Sequence, residues 1–332
     1  MEKGSTSKKL ILAIALSIGG FLIALLGNML VPQIADVSFD EYIVGIFMLT
    51  GKDAYDILLI ALIIVYLITG IRGLRRAERR KKYVFAAPFR FACGIALFLW
   101  DLLGTKLQIL QQPFFPGPAG IMTAFVQEGP FIWQNTLYSL RLYLFGFLIG
   151  TAVGVFTGTL IGWFSKADYW VSPVLKVAGV IPSVAWMPFA LTIFPTAFSG
   201  AVFLIVISVW FQVTTLTASG VKSTPRTLLE AARTLGANNR WLVFHIALPN
   251  ALPNIFTGIM TANAFAFTIL VMAEMMGQPG GLGYYINASK VWSAYYKVFA
   301  AIIVMAILFS LITKLQGCIE KRVLRWQKGV LK

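Results

Sequence analysis

His245 is the only histidine in 332 residues, and the two cysteines, Cys93 and Cys318, lie far apart inside apolar stretches. Metal centres need converging His, Cys, Asp or Glu side chains at spacings such as C-x-x-C or H-x-x-x-H, and no such spacing occurs. A phosphate-cradling loop needs G-x-x-x-x-G-K-[ST]. The nearest approach, Gly45 to Gly51-Lys52-Asp53, has different spacing and no hydroxyl after the lysine. Gln278 to Gly283 is glycine-rich but opens no helix after a strand. The chain is therefore expected to have no catalytic residue, no metal and no cofactor of its own. Met272, Met275 and Met276 read as packing residues. What remains are polar groups inside apolar runs. Arg141 and Glu274 are the chief ionisable ones, and such groups mark solute pathways or reach water at the end of a helix and pair there. Gln212, Thr215, Asn263 and Thr268 could face a hydrated path, or bond back to the preceding turn of their own helices.

The elements that must position these groups are membrane spans. Hydrophobic residues make up 58% of the chain and charged ones 12%, and the mean hydropathy is +0.79, a composition that points to a polytopic membrane protein. Counting stretches of ~20 apolar residues gives eight spans: 10–30, 54–71, 88–106, 142–163, 173–194, 200–219, 254–275 and 298–317. The first follows Lys8-Lys9 as a signal peptide would, but it is long and no small-x-small site follows it, so it reads as an uncleaved span. With the N-terminus in the cytoplasm, the basic residues other than Lys52, Lys106, Arg141, Lys290 and Lys297 fall in cytoplasmic segments, as the positive-inside rule asks. Both termini are then cytoplasmic. The net charge of +15 is accounted for without nucleic acid, and the run 72–82 becomes a juxtamembrane anchor.

Gly146, Gly150, Gly154, Gly158 and Gly162 form a stripe of small residues along one helix face. That stripe admits close approach of another helix, either within the subunit or across a dimer. Between the sixth and seventh spans, residues 220–252 read as two short cytoplasmic helices. Thr224-Pro225 or Thr227-x-x-Glu230 would start the first. Leu228, Leu229, Ala232 and Leu235 would make its apolar face, opposite Arg226, Glu230 and Arg233, and Gly236 would stop it. Asn238 would cap the second helix, ended by Pro249 before Pro253 opens the next span. Such a hairpin suits either force transmission from a soluble partner or an amphipathic helix lying on lipid.

The spacing E-A-A-x3-G-x9-I-x-L-P, met by Glu230-Ala231-Ala232, Gly236, Ile246 and Leu248-Pro249, resembles the EAA motif of binding-protein-dependent ABC importer permeases. Over roughly 115–328 the chain is most similar to the nitrate, taurine and aliphatic-sulfonate branch. The resemblance is carried by Phe115-Pro116-Gly117-Pro118, by Ser139-Leu140-Arg141 with Gly146-Phe147, by Ile181-Pro182-Ser183-Val184-Ala185-Trp186-Met187-Pro188, and by Ala273-Glu274-Met275 with Gly281-Leu282-Gly283-Tyr284. At 194–200 the chain departs from the W-F-G-x-G-like segment frequent in that branch, and residues 1–83 add two spans to the usual six.

The resemblance implies an all-α polytopic bundle with a type I (MetI-like) ABC importer core over 84–332, preceded by an extra 1–83 region. It implies a non-enzymatic permease in a bacterial or archaeal cell membrane, importing a small anion such as a sulfonate, taurine, nitrate or bicarbonate. Partners would be cytoplasmic ATPase subunits that use ATP and Mg, an extracytoplasmic solute-binding protein and a second permease copy. The alternative, a secondary transporter or channel, would be expected to show ionisable pairs or broken helices deep in its spans, and neither is visible in the sequence.

Overall fold

The computed structural model describes residues 2–32, 42–44, 47–74, 77–111 and 113–329. Gly45, Arg75, Arg76 and Lys332, used above, lie outside them. Among the described residues the protein is all-α but for two three-residue antiparallel strands, β1 (Tyr42–Val44) and β2 (Phe47–Leu49). Among the described residues seven helices are long and apolar enough to cross a membrane, or eight if one bent pair counts as a single span.

The chain divides into two compact units, and the first comprises Met1–Ile132 with Ala288–Ile302. Its first three long helices are α1 (Glu2–Leu30), α2 (Gly51–Leu74) and α3 (Ala77–Asp101). A β-carbon on Gly20 would meet the Phe91 backbone, and one on Gly94 would meet Gly20 and Phe21, so α1 and α3 touch backbone to backbone. The two added helices thus share a close seam with α3. Asn28 donates to Asp56 (2.8 Å) and Lys106 to the Asn28 carbonyl (2.8 Å), tying α1 to α2 and to the turn after α3. Helix α4 (Pro118–Trp163) has 46 residues, ~69 Å of helix and far more than one crossing needs. It is interrupted at Glu128 (φ −122°, ψ 21°), beside Pro130, where Lys297 pairs with the Glu128 carboxylate at 2.5 Å.

The second unit comprises Trp133–Asn287 and Ile303–Lys332. Within it are α5 (Ser165–Val180), a 3-10 turn Ser183–Trp186, α6 (Met187–Ile193), α7 (Ala197–Lys222), α8 (Arg226–Thr234), α9 (Asn239–Leu242), α10 (Leu248–Met275), the start of α11 (Leu282–Val291) and most of α12 (Tyr295–Val323). The five stripe glycines of α4 lie against α7 in strict order, Gly146 on Ile205, Gly150 on Val209, Gly154 on Val213, Gly158 on Thr217 and Gly162 on Val221. Any added β-carbon would come within 2.6–2.8 Å of the opposing one. Four-residue steps on both helices mark them as parallel neighbours.

Parallel neighbours in sequence require the chain to return between them, and 165–193 makes that return. Asp168 pairs with Lys222, the Phe211 ring covers Gly179, and Ala190 abuts Gly200. The partners are eleven residues apart along both segments, so 165–193 meets α7 in reverse order. It is not the uninterrupted helix expected over 173–194. Between α5 and the 183–193 segment the axis turns by 98°. Pro182 lacks a donor and drives Ile181 into extended geometry (φ −78°, ψ 119°), which ends α5. The reading that no span is broken is thus corrected at Ile181–Pro182.

The core of this unit gathers Leu142, Tyr143 and Phe147 of α4, Leu204, Ile205, Val209 and Val213 of α7, and Ala262, Ala266 and Leu270 of α10.

Candidate functional site: coupling hairpin and solute cavities

Helix α8 starts at Arg226 with Pro225 in the capping position, and no side-chain cap forms. Thr224 is buried, with the Asn250 amide 3.5 Å from its hydroxyl, and Thr227 lies inside the helix, so neither expected cap is used. The stop is as read. Gly236 sits at φ +86°, its N–H bonding the Arg233 carbonyl (2.9 Å), and the Ala237 N–H bonds the Ala232 carbonyl (3.0 Å). This pair of bonds is a Schellman closure, which a side chain at Gly236 would strain. Asn238 caps the next turn by accepting from the Trp241 N–H at 2.9 Å. Pro249 does not end that second helix. A π turn, Val243–Ala247, carries α9 into α10, and Pro249 falls in the first turn of α10, where a missing N–H costs nothing.

The expected single apolar face is divided. Ala232 is buried and Leu229 half-buried, whereas Leu228, Trp241 and Phe244 are exposed and Leu235 is 89% exposed. Ala232, Leu235, Gly236, Ala237, Asn238 and Trp241 line a cleft of about 360 Å³. Of the other motif residues, Glu230 and Ala231 are exposed, and Ile246, Leu248 and Pro249 are half-buried at the root of the hairpin. His245 stacks on Trp241 (ring centroids 4.8 Å, planes 7° apart) and is exposed.

Two cavities flank α7 where α5 breaks. The upper, about 220 Å³, is lined by Ser183, Ser208, Gln212 and Thr268 among apolar neighbours. The lower, about 700 Å³, is lined by Ser172, Lys176, Thr215, Ser219 and Lys222 with Leu175 and Ala218. Phe211 and Gly179 line both. No carboxylate lines either cavity. Gln212, Thr215 and Thr268 thus sit at cavities, although the Thr215 and Thr268 hydroxyls bond back to the Phe211 and Ala264 carbonyls.

Asn263 and Glu274 lie elsewhere. Asn263 is 1% exposed: Tyr143 donates to its Oδ1, and its Nδ2 donates to Thr313 (3.0 Å), joining α4, α10 and α12. Glu274 is also 1% exposed and turns back on its own loop. Its Oε2 accepts from the Gly283 N–H (2.8 Å), while the Leu282 N–H goes to the Ser139 Oγ (2.8 Å) and the Gly281 N–H to the Asn135 Oδ1 (2.9 Å). Three side chains thus satisfy the donors at the start of α11, and a carboxylate there suits the positive end of a helix. Gly281, at φ +109°, passes so close to the carboxylate that no side chain fits. Arg141 stays exposed over the ring of Phe198 (5.5 Å), one turn into α7.

Sequence reasoning missed Phe211, Gly179, Asn135 and Ser139. Pro182 in mid-span was the available signal for the break, and the four-residue spacing of Asn135 and Ser139 for the cap.

Residues 150–325 match the family described as the binding-protein-dependent transport system inner membrane component. A Bacillus subtilis protein named as an aliphatic sulfonates transport permease is 28% identical over 79% of this chain and 95% of its own length. A nitrate import permease of Synechococcus elongatus is 27% identical over 63% of this chain and 76% of its own. The taurine transport system permease of Escherichia coli is 25% identical over 71% and 88%. Among solved structures, an inward-facing MetNI methionine ABC transporter chain superposes with a TM-score of 0.51 at 21% identity, covering 59% of this chain and 97% of that one, a likeness of fold. The family match takes in four of the five glycines of the seam, the broken span, the hairpin and α10, so the elements that shape the cavities are the ones shared: the chain belongs to the binding-protein-dependent transport system inner membrane components and is a multi-pass membrane permease of the ABC importer type.

Proposed function

We propose that this permease imports a small anion, handed over by an extracytoplasmic binding protein, and that residues 225–249 are its contact with a separate cytoplasmic ATPase. One observation carries the reading: a hairpin closed by a Schellman turn at Gly236 presents Leu228, Leu235, Trp241 and Phe244 to solvent, Leu235 and Trp241 lining a cleft. An amphipathic helix lying on lipid would present one continuous apolar face, whereas here Leu229 and Ala232 face inward and the outer residues await a partner. Closure of the ATPase dimer on ATP and Mg pushes the hairpins and rocks the spans between outward and inward access. Two permease copies form the path, with no enzymatic step and no cofactor on this chain. Both termini are cytoplasmic, which fits eight crossings with 165–193 counted as one.

The anion class is supported by the nitrate, sulfonate and taurine relatives, and by Lys176 at the edge of the lower cavity, where Lys222 is paired with Asp168. The break at Ile181–Pro182 resembles the discontinuous helices of secondary transporters, but no ionisable pair lines the upper cavity. Glu230→Lys and Gly236→Asp should abolish co-purification with the ATPase and uptake while leaving the permease folded in the membrane. Intact association and uptake in both variants would sink the coupling role.

A further inference from the structure

The two cavities are neighbours in line along α7, the upper reaching Ser208 and Gln212, the lower reaching from Thr215 to Lys222. The residues common to both are Gly179 and Phe211, and the ring of Phe211 occupies the space a side chain at Gly179 would need. An apolar ring on a glycine at the joint of two polar-edged cavities is a constriction that excludes water, as dewetting gates do.

The placement gives the ring a means of moving. Phe211 lies near the middle of α7, one α5 turn below Ile181–Pro182, where the helix ends and the axis turns. The lower end of α5 is tied to α7, since the Asp168 carboxylate pairs with Lys222 at 2.6 Å and accepts from Ser172. The upper segment is fixed where Ala190 abuts Gly200. The break at Ile181–Pro182 leaves α5 free to move as a unit relative to the 183–193 segment, and such a movement shifts Gly179 against Phe211. Lys222 begins the link to α8, three residues before Pro225, so displacement of the hairpin reaches α5 through the Lys222–Asp168 bond.

We propose that Phe211, seated on Gly179, is an internal gate of the solute path, separating an upper chamber edged by Ser183, Ser208, Gln212 and Thr268 from a lower chamber edged by Ser172, Lys176, Thr215 and Ser219. This rests on the permease reading above.

The test is thiol accessibility in the assembled transporter, in inside-out vesicles, with Cys93 and Cys318 replaced and a negatively charged, membrane-impermeant methanethiosulfonate as probe. Thr215→Cys in the lower chamber should react readily. Thr268→Cys in the upper chamber should react at least ten-fold more slowly, and adding Phe211→Ala should bring its rate up to that of Thr215→Cys. Phe211→Trp keeps the constriction filled and should keep Thr268→Cys protected, and Phe211→Leu should open it in part should the alanine variant fail to assemble. Equal rates at the two cysteines with Phe211 present, or no response of Thr268→Cys to the alanine and leucine changes, would overturn the gate. Co-purified ATPase and ATP-dependent uptake in the cysteine-replaced parent separate the two failures: with both intact, flat reactivity removes the gate alone, and without ATPase association the permease reading itself falls.

Discussion

Gly154 and Val213 face one another across the seam between α4 and α7, and a β-carbon on the glycine would stand 2.8 Å from that of the valine. The same relation recurs one turn away at Gly150 with Val209 and at Gly158 with Thr217. Helices in lipid gain nothing from hydrophobic exclusion of one another, so close packing of this kind is the main source of their association. Gly154→Leu should therefore separate the helices and leave little folded protein, and Gly154→Ala should cost about 1–3 kcal/mol. Gly129→Ala, with nothing within 4 Å of its added methyl, is the control and should be neutral. Thermal unfolding in detergent compares the three, and an unchanged midpoint for Gly154→Ala would refute the seam.

At Gly236 the constraint is conformational. Nothing lies within 4 Å of an added β-carbon, but the residue is at φ +86°. Gly236→Ala should cost about 1 kcal/mol, confined to the hairpin, and Gly236→Asn less, because asparagine tolerates the left-handed region. Bulk unfolding should move little while ATPase association weakens in the order Ala, then Asn, then wild type. Equal association in all three would detach the Schellman turn from coupling.

Glu274 reads in the sequence either as a group paired near a helix end or as a solute contact, and its Oε2 accepts from the Gly283 N–H at the start of α11. Glu274→Gln keeps an acceptor and should retain most of the stability. Glu274→Ala leaves the Gly283 N–H unpaired in a buried site, at about 1–3 kcal/mol. Limited proteolysis of the 276–283 loop should report the difference. A stable alanine variant with altered solute affinity would restore the path role.

The contrast shows which features a sequence can carry. Composition and run length make spans legible, and the glycine stripe is legible because one residue type at four-residue spacing has few uses. The Gly236 stop was readable because positive φ selects glycine. The caps at Thr224 and Thr227 were not, since a hydroxyl beside a helix start can equally bond elsewhere, as Thr224 does with Asn250. Pro182 announced a break, yet its run of apolar neighbours read as one helix because hydropathy averages over an interruption. Exposure also escaped periodicity: Leu228 and Leu229 look alike in sequence, and only tertiary packing places one outward and the other inward. The polar residues of the spans divided for the same reason, Gln212 and Thr268 onto a cavity and Asn263 into the core.

That last division is open to direct measurement at Asn263. The residue accepts from Tyr143 and donates to Thr313, and Gln316 approaches the same Tyr143 hydroxyl at 3.4 Å, so three helices meet through one amide. Interhelical hydrogen bonds in membranes average ~0.6 kcal/mol and reach ~1.7. Asn263→Leu removes two and strands the tyrosine hydroxyl, so about 1–2 kcal/mol should be lost, whereas Tyr143→Phe should lose less. Because the two side chains share a bond, the double variant should fall short of the sum by about 1 kcal/mol. Surviving Asn263→Leu transporter should show its KM for the solute unchanged, since the side chain lines neither of the two cavities along α7. A shifted KM with normal stability would return Asn263 to the path.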